Sequence, residues 1–151
     1  MIVIRTAKLS DVLQLVALLK DLFAIEADFD FDQDKQALGL QLLLKNDLAC
    51  ILVAESSDDN KLRGMCSIQI LISTAEGGEV GLIEDLIVDT AFRNQGIGAK
   101  LLAEAVHWSE RRGLKRLQLL ADKNNSPALE FYEKQGWQST QLVCLKRPLK
   151  K

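Results

Sequence analysis

The 151-residue sequence has one histidine, and that scarcity removes several chemistries at once. His107 stands beside Trp108 in a helical stretch and reads as helix surface or edge. A Ser-His-Asp arrangement, a Cys–His nucleophile and a histidine-based zinc set all lack their members, so no metal is expected. The three cysteines, Cys50, Cys66 and Cys144, are odd in number, far apart and set in apolar stretches. They suit reduced thiols serving as small core side chains. Long apolar runs are missing too, since none approaches the roughly 18–20 residues of a membrane span. The start, MIVIRTAKLSD, turns polar after four residues and does not read as a secretory signal. The expected location is therefore cytoplasmic, without a membrane partner. Nor is there an excess of one charge. Nineteen basic against twenty-one acidic side chains give a net charge of −2, which excludes a strongly basic nucleic-acid binder.

What is present is the balance of an ordinary soluble core, 48% hydrophobic and 26% charged. A chain of this size buries about 68–70% of its unfolded surface and needs no disulfide or metal to hold a core. There is no repeat and no linker rich in Pro, Gly or Ser, so one domain over residues 1–151 is expected. Residues 2–5 read as a strand. Ser10 or Asp11 can cap a helix whose apolar stripe is Val12, Leu15, Val16, Leu19, Leu22 and Phe23, three and four residues apart. A loop of alternating acids follows (Glu26, Asp28, Asp30, Asp32 and Asp34, interleaved with Phe29 and Phe31) and leads to a second helix at 33–45. Residues 48–55 and 61–73 form a hairpin about the turn at 56–60, and 81–88 is an apolar strand interrupted by Glu84 and Asp85.

The second half alternates more plainly. An amphipathic helix at 96–112 stops at Gly113, and 115–121 is a strand. A short helix at 126–135 opens with Pro127 and closes at Gly136, and 137–145 is a last strand. The order β-α-α-β-β-β-α-β-α-β predicts an α/β fold with a mixed sheet flanked by helices.

The segment LIEDLIVDTAFRNQGIGAKLL, residues 82–102, carries the most chemistry. An apolar strand runs into a turn, and Arg93-Asn94-Gln95-Gly96-Ile97-Gly98 then opens a helix. Glycines let backbone approach a ligand closely, and a helix start offers unpaired N–H groups and the positive dipole end. Together they make an anion cradle suited to a pyrophosphate. A Gly-x-Gly alone also fits a plain strand–helix turn. No Gly-Lys-Ser/Thr follows, and only two of the three dinucleotide-fold glycines are present.

The combination is more specific. R-x-x-G-x-G between strand and helix, then Asn125-Ser126-Pro127-Ala128 and Phe131-Tyr132-Glu133-Lys134-Gln135-Gly136-Trp137, resembles the GNAT superfamily of acetyl-CoA-dependent N-acetyltransferases. The element order is similar to that family along essentially the full chain. The resemblance implies a sheet that splays after the 81–88 strand. It implies that the backbone amides of Asn94, Gln95, Gly96, Ile97, Gly98 and Ala99, in the turn that Arg93 begins, hold the coenzyme A pyrophosphate. Leu86, Ile87 and Val88 would pair with the pantetheine arm as with an added strand. Asn125 and Ala128 would line the other wall of that groove, and Tyr132 would be the general acid for the departing thiolate. The resemblance further implies acetyl-CoA as co-substrate, a small-molecule amine as acceptor and a symmetric homodimer as a common assembly.

An amine is mostly protonated at neutral pH, so direct attack on a thioester needs a carboxylate or water chain to accept its proton. Acids inside an apolar strand are costly unless paired, which singles out Glu84 and Asp85. Adjacent strand residues point to opposite faces unless a bulge re-aims one. Glu84 is the preferred proton acceptor and Asp85 a substrate-binding residue, with a hydrogen-bonded structural carboxylate as the plain reading of either. Around IEDLIV the sequence also resembles polyamine and diamine acetyltransferases over some ten residues. Phe29 and Phe31 are candidates for the wall of an acceptor pocket, or equally for plugs of the core. The leading function is acetyl transfer to a primary amine of a small cationic acceptor. A protein N-terminus or lysine is the alternative acceptor, and a non-catalytic acyl-CoA-binding module is the alternative of another class.

Overall fold

Alternation in the first strands decides which faces are buried. In the computed structural model, which describes residues 1–25 and 29–150, β1 (Ile2–Thr6), β2 (Ala49–Ser56), β3 (Leu62–Ser73) and β4 (Gly78–Val88) form successive antiparallel pairs. β5 (Leu117–Leu119) joins β4 in parallel, giving one sheet in the order β1-β2-β3-β4-β5. Glu26 and Asp28 of the acidic loop, and Lys151, lie outside the described residues. The chain divides into two compact units, Met1–Leu119 and Leu120–Lys151.

In the first unit, α1 (Val12–Ile25) and α2 (Gln33–Leu44) cover one face of the sheet. Asp32 caps α2 by accepting from the Asp34 and Lys35 amides, as an N-cap acid should. Leu15, Leu19 and Leu22 of α1 and Leu40 of α2 pack on Ile51, Val53, Met65 and Ile87, alternate residues of three strands. α3 (Ile97–Arg111) covers the other face. Gly64, one residue from Met65 and so on the reverse side, lies where a β-carbon would come within 3.0 Å of Leu101 Cδ1 and 3.3 Å of Ile97 Cγ2. Cys50 and Cys66 are buried as small core side chains, and burial pushes the Cys50 thiol up to about 11. Cys144 is exposed, against the sequence reading.

The second unit contains α4 (Ser126–Lys134). The Asn125 side chain accepts from the Ala128 amide at 3.2 Å, so the N-x-x-A spacing is an N-cap with its third-residue donor. The strand expected at 137–145 does not form: among the described residues, none after Lys134 lies in a helix or strand. Leu142, Val143 and Leu145 are largely exposed. Apolar residues in that pattern permit a strand, but only a neighbouring ladder of hydrogen bonds makes one. The sheet accordingly has five strands and not six.

Candidate active site

β4 is where the sheet opens. Its parallel ladder with β5 runs Gly81↔Leu117, Leu82↔Gln118 and Ile83↔Leu119 and stops there. From residue 84 to 88 the strand keeps β3 on one side only, and its outward backbone groups meet no further strand among the described residues. This is the splay expected at that strand. A lone strand edge is a template for an extended ligand, which would pair with Leu86, Ile87 and Val88.

The same point carries an irregularity. Ile83 pairs with Ile68 and Leu86 with Cys66, so Glu84 and Asp85 together oppose the single residue Ser67. Two residues against one is a β-bulge. It abolishes the alternation that would have sent the two acids to opposite faces. Both line one cleft of about 390 Å³ on the α1/α2 side, with Leu19 and Phe23 from α1, Lys35, Gln36 and Leu40 from α2, and Gln69 from β3 among its walls. Glu84 is exposed there, whereas Asp85 is half-buried. The Ser67 hydroxyl, itself fully buried, donates to Asp85 Oδ2 at 3.0 Å and accepts from the Asp85 amide at 3.1 Å. Burial pushes the Asp85 carboxyl up to about 6, with the Ser67 hydrogen bond opposing and the Glu84 charge adding to the rise.

Beyond β4, Asp89 starts a 3-10 turn at Thr90–Phe92 by accepting from the Ala91 amide. Arg93 Nε donates to the Val88 carbonyl at 3.1 Å and ties the turn back to the strand. Asn94 and Gly96 adopt left-handed backbone, with φ of 63° and 81°. Gly96 is the N-cap of α3 and, lacking a side chain, makes no cap hydrogen bond. A β-carbon on Gly96 would meet nothing within 4 Å, so the space before the helix start is open. First-turn amides without a side-chain cap, a positive dipole end and left-handed residues just before it could hold a phosphate-bearing ligand.

The other predicted residues fall as follows. Phe31 packs against the core, with Lys20 over its ring at 5.8 Å. Phe29 stacks on Phe23, a cleft residue, at 5.6 Å between ring centres. Tyr132, in the second unit, stands edge-on to Phe131 and Trp137 at 5.4 and 6.3 Å. His107 is exposed on α3 beside Glu104, as expected of helix surface. The sequence pattern singles out none of Ser67, Lys35 and Gln69, and it gives Phe23 only as part of the α1 apolar stripe. Ser67 and Gln69 were visible as polar residues in an apolar strand, but their partners depend on a register that the bulge shifts.

The sequence matches the acetyltransferase (GNAT) family over residues 15–137. The chain belongs to that family. An N-acetyltransferase of Methanocaldococcus jannaschii is 35% identical over 72 residues, which is 48% of this chain and 32% of that one. The glucosamine 6-phosphate N-acetyltransferase of Trypanosoma brucei brucei is 31% identical over 80 residues, 52% of each. The chain thus spans a third to a half of the length of these two relatives. Among solved structures, an aminoglycoside acetyltransferase from an uncultured soil metagenomic sample, in complex with trehalose, is 27% identical with a TM-score of 0.81, covering 99% of this chain and 97% of that one. The family match begins within α1 and ends at Trp137, so it takes in the acid-lined cleft, the open strand, the glycine turn and the Tyr132 motif.

Proposed function

We propose that the protein transfers the acetyl group of acetyl-CoA to a primary amine of a small acceptor, by direct attack in a ternary complex. One observation carries the reading: the bulge places two carboxylates in a cleft at the residues where β4 loses its outer partner. An amine entering beside Glu84 and Asp85 meets the strand edge on which a thioester arm would lie. The donor set also fits the coenzyme, since the open edge suits an extended arm and the uncapped start of α3 suits its phosphates.

The amides of Asn94, Gln95, Gly96, Ile97, Gly98 and Ala99 hold the pyrophosphate, and the backbone of Leu86, Ile87 and Val88 holds the pantetheine arm. When bound, acetyl-CoA supplies the activated acetyl thioester. A backbone N–H of the 86–88 strand polarises the thioester carbonyl, a contribution of about 3–4 kcal/mol for a well-placed oxyanion donor. The carboxylates of the cleft receive the ammonium and take its proton. Tyr132 is assigned the acid that protonates the departing thiolate, and Asn125 and Ala128 a cofactor contact, on the family resemblance of their motif. The aminoglycoside and aminosugar-phosphate relatives support a small polar acceptor. Lys35 in the cleft wall favours an acceptor that pairs its amine with a neutral or anionic part over a long polyamine, which would meet a like charge there.

Thiol release from acetyl-CoA, screened against polyamines, aminoglycosides, aminoalkylphosphonates, amino acids and peptides, tests the proposal. Release that requires a small amine is expected, with Tyr132→Phe losing about 100-fold in turnover. Tight coenzyme binding without turnover of any amine would leave an acyl-CoA-binding module. Turnover of peptides alone would move the acceptor to a protein amine.

A further inference from the structure

Nothing in the apolar pattern of β3 requires a hydroxyl at residue 67, yet Ser67 is fully buried with both its hydrogen-bonding functions spent on one residue. Its O–H donates to Asp85 Oδ2, and its oxygen accepts from the Asp85 amide. This two-point clasp spans the bulge, where the β4 backbone departs from regular pairing and one polar group opposite must satisfy the extra residue. An alanine there would leave the Asp85 amide and carboxylate each one partner short.

We infer that Ser67 is the positioning residue that holds Asp85 as the proton acceptor of the cleft, with Glu84 receiving the ammonium. The assignment rests on the amine-acetylating reading above, divides the two acids that it left together, and reverses the roles expected for them from the sequence. Glu84 stands exposed at the cleft, where a carboxylate meets a cation while still partly hydrated. Asp85 is half-buried, fixed at one oxygen by Ser67, with Oδ1 left for a ligand. Its carboxyl, raised to about 6 chiefly by burial, is basic enough to take a proton and still mostly ionised at neutral pH. The charged and titratable groups facing it are Glu84 on its own strand, Cys66 on β3 and Lys35 from α2, while α1 presents the uncharged Leu19 and Phe23.

The proton balance is simple. The Asp85 carboxylate takes one proton from the acceptor's ammonium and yields the neutral amine. The nitrogen lone pair then forms the bond to the acetyl carbon as the carbon–sulfur bond breaks. The electron pair leaves on sulfur; the attacked nitrogen loses one of its two protons to become the amide, and the thiolate gains one proton to become the coenzyme thiol. Asp85 returns its proton to solvent.

The test is the pH profile of kcat/KM for an accepted amine, from about pH 5 to pH 9, in the wild type and in Ser67→Ala, Ser67→Thr, Asp85→Asn and Glu84→Gln. Expected are an acidic limb near pH 6 in the wild type and its upward shift by about one unit in Ser67→Ala, because a donor to the carboxylate is lost. Ser67→Thr should keep the limb in place. Asp85→Asn should lose the limb and about 100-fold or more in kcat, and Glu84→Gln should raise KM and keep the limb, moved slightly downward because a like charge beside Asp85 is lost. Carbon-13 NMR of the Asp85 carboxyl should show the same upward shift in folded Ser67→Ala. A limb that ignores Ser67 and Asp85 and disappears in Glu84→Gln overturns the inference and leaves the acetyltransferase reading standing. A wild-type protein that acetylates no amine overturns both.

Discussion

Asp85 pays for its place at the bulge in stability, and the sign can be worked out. Its folded pKa of about 6 lies above the ordinary 3.8, so the native state binds the extra proton between those values and stability falls as pH rises through them. Asp85→Asn should therefore raise the midpoint of thermal unfolding at neutral pH, by the equivalent of up to about 3 kcal/mol. The gain should shrink as pH falls from about 6 to about 4 and vanish below about pH 3, where the wild-type carboxyl is neutral in both states. A gain that persists unchanged in acid would show that burial does not perturb Asp85. Asp11 behaves in the opposite sense. The Arg5 guanidinium holds its carboxyl below the usual range through bonds of 2.8 and 3.1 Å, and the Lys8 amide adds to this. That contribution is present above the ordinary carboxylate pKa and is lost as pH falls through the depressed value. Arg5→Met strands a buried carboxylate and should cost about 3 kcal/mol at neutral pH in chemical denaturation, with the difference narrowing in acid.

Among the elements, the turn between β4 and α3 concentrates the special backbone. Gly96 holds φ at 81° as the N-cap, with open space where a side chain would project. Gly96→Ala should cost about 1–2 kcal/mol of left-handed strain in stability. It should weaken coenzyme binding at least tenfold by isothermal calorimetry, because the methyl group enters the approach to the first-turn amides. Coenzyme affinity equal to wild type would move the phosphate site away from this helix. The glycine turn was legible in the sequence, because a strand–turn–glycine–helix order dictates backbone conformation through residue type. The bulge one element earlier was not legible. IEDLIV reads as an uninterrupted strand, and the shift appears only when Ile68 is seen to pair with Ile83 and Cys66 with Leu86. The last strand was misread for a related reason, since the exposed run at 142–145 has the pattern of a strand and no ladder to complete it.

For the whole molecule, the first unit holds the buried core, while no described residue of Leu120–Lys151 is buried. So short a segment without a core of its own does not fold alone. We propose that the chain unfolds as one cooperative domain, and its two tryptophans report the two units separately. Trp108 lies on α3 with Arg112 over its ring at 5.1 Å, and Trp137 contacts Tyr132 in the second unit. Denaturant midpoints followed by fluorescence in Trp108→Phe and in Trp137→Phe should coincide with each other and with far-UV circular dichroism. Midpoints that separate would make the last segment an independent, weaker unit. Neither result bears on location; the structure adds only that no described helix is long and apolar enough to cross a membrane.

Residue order by itself determined the family, the sequence of elements through α4, the glycine turn before α3 and the presence of two adjacent acids in β4. Each is a local matter: apolar period, capping and glycine placement act over a few residues. Tertiary structure alone decided that Glu84 and Asp85 share one cleft, that Ser67 clasps Asp85, and that Phe23 and Lys35 stand in the cleft walls. These depend on strand register and on helices packing across the sheet. A single extra residue in one strand turns a side chain from one face to the other, and no local pattern in the chain records it.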